Sequence, residues 1–238
     1  MKILLIQVDS RPISHFNQSK NFDKHLHIFS CDIDEVINNW DYFSIVSLYN
    51  RTIASEMSWH YSFKHVKREE TRHPIWTKIR GLLDYYNEFK KYDIVLYLDS
   101  DAIVRDPFKM LNHLAELRES IAECLFGTDP PSFNSTYINA GVLAFKPSDF
   151  FRNILTSTYH FEEAHPYLVP YYHKWPQDQK VFDTILKEFD QTKIKYLSWE
   201  ESSVDTIRHI FPKDKVVPMV VDEILCYLSR KLTGTKES

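Results

Sequence analysis

The pattern of apolar and polar positions along the chain predicts alternating strands and helices. Short, almost continuously apolar runs, such as "KILLIQVDS" (residues 2–10) and "DIVLYL" (93–98), are typical of strands buried on both faces. In "HPIWTKIRGLLDYYNEF" (73–89), apolar residues return every three or four positions, which predicts an amphipathic helix. This alternation favours a single α/β domain with a mostly parallel central sheet flanked by helices.

The remaining elements follow the same two patterns. We expect the domain to span residues 1–230 and to be followed by a polar tail at 231–238. Further strands are predicted at 26–33, 62–66, 123–130, 137–146 and 193–199, and further helices from Ser47 onward and at 107–117, 147–161 and 176–189.

Composition narrows the class of protein. The 238 residues fit one α/β domain, and the net charge of −4 without any basic run argues against a nucleic-acid-binding protein. The three cysteines are far apart in the sequence and none belongs to a CxxC motif, which favours a protein of a reducing compartment. No apolar run reaches 18 residues, so we expect no membrane span and a soluble, cytoplasmic protein, with one domain of a longer or virus-encoded polypeptide as a further interpretation.

Glycine is scarce. Only four glycines occur, and none are spaced as in a dinucleotide-binding or phosphate-binding loop. If the protein binds a nucleotide, its phosphates must be neutralised by something other than a glycine-rich loop.

Two aspartates follow the apolar run at 93–98. Asp99 and Asp101 are two positions apart, and residues at that spacing in an extended chain point the same way. Ligands of open parallel sheets bind beyond the carboxyl ends of the strands. Two converging carboxylates suit a hard cation, Mn²⁺ or Mg²⁺, which takes its other ligands from water and substrate phosphates. The alternative is a turn cap before a helix that begins at Pro107.

The stretch "YDIVLYLDSDAIVRDP" (92–107) resembles the metal-binding DxD segment of GT-A fold glycosyltransferases. Three more segments occur in the order of that superfamily. They are "WTKIRGLLDYY", similar to the lysine-bearing helix of glycogenin-type enzymes, "YINAGVLAFK", similar to their N-[AS]-G strand, and "WPQDQKVFDTIL", similar to their DQ helix start. "YNRTIASEMSWHYSF" (49–63) is similar to a segment of the fungal galactosyl/mannosyltransferase family.

The resemblance implies transfer of a sugar from a nucleoside-diphosphate sugar, with UDP-sugar favoured, to a hydroxyl of a glycan or protein-linked glycan. It implies Mn²⁺ or Mg²⁺ as cofactor and favours retention of the anomeric configuration; inversion, with Asp178 as the general base, is the alternative. The site residues carried over are Asp99, Asp101 and His209 for the metal, Asp178 and Gln179 for catalysis, and Asp9, Ser10, Arg11, Lys78, Asp99, Ser100, Asn139, Ala140, Gly141 and Lys213 for substrate binding.

Other interpretations stay open from the residues alone. Lys78 also fits a solvated helix face, and Asp178 fits a first-turn acid favoured by the helix dipole. A haloacid-dehalogenase-like phosphohydrolase also carries a D-x-D after a strand, and a non-catalytic sugar- or nucleotide-binding module would need the same residues as the enzyme.

Overall fold

The computed structural model describes residues 1–10, 42–130, 138–174, 177–209 and 222–223. The strand predicted at 26–33, the domain end predicted at residue 230 and the tail at 231–238 lie outside these ranges. So do Arg11 and Lys213, two of the predicted substrate contacts.

The described residues form eight strands and six α-helices. The strands are β1 (Ile3–Asp9), β2 (His60–His65), β3 (Ile94–Leu98), β4 (Ala102–Val104), β5 (Cys124–Thr128), β6 (Ile138–Phe145), β7 (Ile194–Leu197) and β8 (Ile207–His209). The helices are α1 (Tyr42–Glu56), α2 (Thr77–Asp84), α3 (Tyr86–Phe89), α4 (Pro107–Glu119), α5 (Asp149–Tyr159) and α6 (Gln177–Ile185). None of these helices has the length and apolar character needed to cross a membrane.

Six strands build the central sheet, in the order β2-β1-β3-β6-β5-β7. The pairs β1–β2, β1–β3 and β5–β7 are parallel, whereas β6 is antiparallel to both of its neighbours, β3 and β5. Five of the six strands therefore run in one direction. The predicted fold class, a mostly parallel sheet flanked by helices, is confirmed.

The reversed strand β6 corrects one sequence expectation. A mostly parallel sheet predicts a cleft at the carboxyl ends of its strands, including the strand that carries Asn139. Instead Asn139 is the second residue of β6. Because β6 is antiparallel to β3, its amino end lies at the same sheet edge as the carboxyl end of β3.

The central strands read as continuous apolar runs because the sheet is covered on both faces. On one face Ile3, Leu96 and Leu98 pack in a core with residues of α1 and α4. On the other face Leu4 and Tyr97 pack in a core with residues of α2, α5 and α6. Alternation along a strand therefore decides which helix layer each side chain meets.

A small second sheet pairs β4 with β8 in antiparallel register, and it places Ala102 opposite His209. The helix α1 holds this sheet in place through Asn50, whose side chain is buried. Asn50 Nδ2 donates to the Ala102 carbonyl (2.8 Å), and Asn50 Oδ1 accepts from Val104 N–H (3.0 Å). One amide side chain thus fixes the segment that follows the two aspartates.

Candidate active site

The alternation of β3 fixes the direction of Asp99. Val95 and Tyr97 face the core beneath α2, α5 and α6, and Asp99, two positions beyond Tyr97, has its carboxylate on the same side. The buried Tyr97 hydroxyl donates to Asp99 Oδ1 at 2.6 Å. Burial and the neighbouring Asp99 carboxylate raise the pKa of Tyr97 well above its ordinary value, so the hydroxyl remains a proton donor.

Lys78, on α2, lies between two carboxylates. Its Nζ is 2.8 Å from Asp178 Oδ2 and 3.3 Å from Asp99 Oδ1, and the Lys78 side chain is only 4% exposed. Burial of the ammonium lowers the pKa of Lys78, but the charges of Asp178 and Asp99 outweigh burial and leave it above its ordinary value. Lys78 is therefore not on a solvated helix face; it carries a positive charge buried at the edge of the sheet.

Asp178 lies in the first turn of α6 and is completely buried. Burial raises the pKa of its carboxyl, and Lys78 opposes this effect without cancelling it. Among the described residues, Asp178 Oδ1 and the neighbouring Gln179 Oε1 are buried without a hydrogen-bond partner. Gln177, just before Asp178, has a positive φ of 32°, a strained conformation for a residue with a Cβ. Unpaired oxygens and backbone strain together are typical of functional sites.

Asp101 and His209 meet because β4 and β8 pair. His209 Nδ1 is 3.9 Å from Asp101 Oδ1, and His209 Nε2 is 3.4 Å from Asn139 Nδ2. In the part of the chain that the structure describes, no three His, Cys, Asp or Glu side chains converge as a complete metal-binding group. A carboxylate and an imidazole side by side are nevertheless suitable ligands for Mn²⁺ or Mg²⁺, with water and substrate oxygens completing the coordination.

Gly141 forms the floor between these side chains. A Cβ at this position would lie 2.7 Å from Asp99 Oδ2, 2.8 Å from His209 Cε1 and 3.0 Å from Asn139 Oδ1. The Gly141 N–H donates to Asn139 Oδ1 (2.9 Å), and Asp99 N–H donates to the Gly141 carbonyl (2.9 Å). The absence of a side chain at Gly141 is what lets Asp99, Asn139 and His209 approach one another.

Replacing Gly141 by Ala should therefore push the side chains of Asp99, His209 and Asn139 apart. We expect the added methyl group to lower the free energy of unfolding by about 1–3 kcal/mol, the usual cost of overpacking, and to weaken Mn²⁺ binding because Asp99 and His209 must move apart. Urea unfolding and metal titration measure the two effects. Gly127→Ala is the matched control, since the atoms nearest to its Cβ would be those of Ser202 (Cβ at 2.9 Å) and Val142, and not those of Asp99, Asn139 or His209. Equal Mn²⁺ affinity in the Gly141 and Gly127 variants would contradict this explanation.

A cleft of about 580 Å³ opens beside Asp99, Ser100 and Asp101. Asp9 and Ser10, at the end of β1, line the same cleft. Ser100 Oγ donates to Asp9 Oδ2 at 2.5 Å, which joins the ends of β1 and β3. The cleft therefore opens at the carboxyl edge of the sheet, the place where ligands of open α/β sheets bind.

The structure brings most of the predicted site residues together. Asp99 with Lys78 and Asp178, and Asp101 with His209 and Asn139, form two contacting sets joined through Gly141. Gln179 is half-buried beside Asp178, and Ala140 is fully buried within β6.

Three further residues position the site and were not assigned from the sequence. Tyr97 orients the Asp99 carboxylate, and Asn50 holds β4. Gln7, buried in β1, donates from Nε2 to the Asp99 carbonyl (3.0 Å) and accepts from the Tyr61 hydroxyl (2.9 Å). The available signals were the two-residue spacing from Tyr97 to Asp99 and a glutamine inside an otherwise apolar strand.

No protein-family model and no curated protein sequence matches the chain. Solved structures do match its fold. A glycosyltransferase involved in the glycosylation of the major capsid of PBCV-1 is 12% identical, with a TM-score of 0.64 over 93% of this chain and 100% of that one. The galactosyltransferase LgtC, solved with donor and acceptor sugar analogs, is 12% identical with a TM-score of 0.47 over 93% and 96%. GlyE of Streptococcus pneumoniae TIGR4 is 13% identical with a TM-score of 0.47 over 94% of this chain and 60% of that one.

At these identities the likeness establishes fold and not activity, and only the first score is high enough to carry an argument. This likeness extends over nearly all of this chain and the whole of that one. The chain therefore has the GT-A-like fold that its sequence resemblance predicted.

Proposed function

We propose that this protein transfers a sugar from a nucleoside-diphosphate sugar, with a UDP-sugar as the favoured donor, to a hydroxyl of a glycan or protein-linked glycan. The observation that carries the proposal is the convergence of Asp99, His209 and Asn139 on Gly141, with Asp101 3.9 Å from His209, in a GT-A-like fold whose cleft is lined by Asp99 and Asp101. A carboxylate–imidazole pair beside an open cleft suits a metal ion whose remaining ligands are oxygen atoms of the substrate.

Asp101 and His209 would hold Mn²⁺ or Mg²⁺, and Asp99 would act directly or through a water molecule or the ribose of the donor. When bound, the metal supplies a charge that stabilises the departing diphosphate. Asp99 is less available as a direct ligand because Tyr97 and Lys78 already occupy its carboxylate.

The Lys78–Asp178 ion pair would orient the donor sugar. A general base must reach the proton that it removes, whereas Asp178 is completely buried and held by Lys78 at 2.8 Å. This supports assigning Asp178 to donor positioning and Gln179, whose Oε1 lacks a described partner, to orientation of the reacting sugar. With Asp178 assigned to donor positioning, we favour retention of configuration.

We expect the protein to release nucleoside diphosphate from one member of a panel of sugar nucleotides in the presence of Mn²⁺ and an acceptor, and to stop when EDTA is added. Proton NMR of the first-formed product should show the anomer of the donor. Release of inorganic phosphate with Mg²⁺ would instead indicate a phosphohydrolase, and ligand binding without turnover would indicate a binding module. An inverted product would make Asp178 the base and contradict its assignment to donor positioning.

A further inference from the structure

The cleft has a second wall, formed by the chain that follows β2. Val66 N–H donates to the Asp9 carbonyl at 3.0 Å, which ties the exit of β2 to the exit of β1. Arg68 comes two residues later, and His73 five residues after that. Both side chains line the cleft that Asp99 and Asp101 line from the other side.

Both residues offer hydrogen-bond donors to this cleft. Arg68 is exposed and makes no hydrogen bond or ion pair with the described residues, so its guanidinium donors are available. His73 Nδ1 accepts from Ile75 N–H (3.3 Å), which leaves the proton of the neutral ring on Nε2. Partial burial, Arg68 and His173 lower the pKa of His73, so the neutral ring prevails near neutral pH.

The spacing between the ends of β2 and β3 indicates which part of a bound donor would lie beside Arg68 and His73. In the sheet order β2-β1-β3, the exit of β2 is two strands from the exit of β3, which corresponds to about 10 Å at the usual strand spacing. The proposed function puts the diphosphate beside Asp101. A nucleoside attached to that diphosphate and lying along the cleft would bring its base to Arg68 and His73.

We propose that Arg68 and His73 read the nucleotide base and select uracil or guanine, which carry a carbonyl oxygen (O4 or O6) at the position where cytosine and adenine carry an amino group. This inference rests on the proposed function and adds to it the residues that set base specificity. The O4 or O6 oxygen accepts from the two side chains, whereas the N4 amino group of cytosine or the N6 amino group of adenine would place one donor against another. A pocket built to make a hydrogen bond discriminates strongly against a ligand that leaves it unmade.

Phosphoryl oxygens of the diphosphate would also accept from Arg68, and the following test distinguishes them from the carbonyl oxygen of the base. Calorimetric dissociation constants are measured for UDP, GDP, CDP and ADP with Mn²⁺, since all four share the diphosphate and differ in the base. For the unaltered protein we expect UDP or GDP to bind at least about tenfold more tightly than CDP and ADP. Arg68→Ala should abolish most of this preference by weakening the favoured nucleotide alone.

Lys67→Ala is the matched control, because it removes an exposed positive charge next to Arg68 but outside the cleft lining, and it should leave all four constants unchanged. Equal weakening of all four nucleotides by Arg68→Ala would assign Arg68 to the diphosphate and overturn base reading. Unchanged affinities, or no base preference in the unaltered protein, would also overturn it. Failure of every nucleotide to bind the unaltered protein would overturn the proposed function as well.

Discussion

Replacing Asp101 by Asn is expected to lower the rate of sugar transfer by about 100-fold or more while the protein stays folded. The change keeps the size of the side chain and removes the charge that would hold the cation beside His209. A metal that stabilises the leaving diphosphate contributes several kcal/mol, and about 1.4 kcal/mol corresponds to a factor of ten in rate. Steady-state kinetics with the preferred donor, over a range of Mn²⁺ concentrations, measures the loss.

The fold should tolerate this change because Asp101 is partly exposed and its described partner, His209, is 3.9 Å away. We expect the free energy of unfolding to stay within about 0.5 kcal/mol of the original value. Asp93→Asn is the matched control. Asp93 lies just before β3, at the opposite end of that strand from Asp101, and its Oδ2 accepts from Lys2 N–H. Full activity of the Asp101 variant, or undiminished activity in excess EDTA, would refute the metal assignment.

Replacing Lys78 by Met is expected to cost about 3–5 kcal/mol of stability, the largest loss we predict for a single substitution. Methionine fills similar space but leaves the fully buried Asp178 carboxylate without its counter-charge. A buried charge whose partner is removed is far more expensive than the absence of the whole pair. Urea-induced unfolding of Lys78→Met, Asp178→Asn and the double variant gives the coupling energy between the two residues.

The double variant should recover most of the stability, because it removes both charges. Lys187→Met is the matched control: Lys187 Nζ is 3.2 Å from Asp183, but its side chain is 70% exposed, so this change should cost less than about 1 kcal/mol. A cost of similar size in the Lys78 and Lys187 variants, or no recovery in the double variant, would show that the Lys78 ion pair is not what stabilises the edge of the sheet.

The cost of Lys78→Met should also depend on pH, with a definite sign. Burial already raises the pKa of Asp178 above its unfolded value, and removing Lys78 raises it further. A carboxyl whose pKa is raised by folding costs stability as pH increases from its unfolded pKa to its folded pKa. The variant should therefore lose less stability at pH 5 than at pH 8, relative to the unaltered protein. Unfolding curves at these two pH values test the expectation.

The sequence predicted the elements whose signal is local. Apolar runs located β1, β3 and β6, since residues buried on both faces must be apolar whatever their neighbours are. The helix that begins at Pro107 was also predicted, because proline is favoured in the first turn of a helix. In the structure Asp106 caps this helix by accepting from the N–H groups of Phe108 and Lys109. The strands β4 and β8 were missed because three residues are too few for periodicity to be visible.

The direction of individual strands, and contacts between side chains far apart in the sequence, could not be predicted from local patterns. The alternation of strands and helices predicted a mostly parallel sheet, but an apolar run does not show the direction of one particular strand, so the reversal of β6 became visible only in the sheet itself. Lys78 and Asp178 are 100 positions apart, and Asn50 and Ala102 are 52 apart. Such pairs form only after helices and strands have packed.

By itself, the sequence determined a mostly parallel α/β fold and a pair of aspartates at the end of a buried strand, because burial and strand alternation act over a few residues. Only the tertiary structure decided that Lys78 is a buried cation instead of a surface one, that Asp101 meets His209 across a two-stranded sheet, and that Gly141 leaves the space between them. These features depend on charge burial and steric fit between segments far apart in the chain, which become defined only once the segments are packed together.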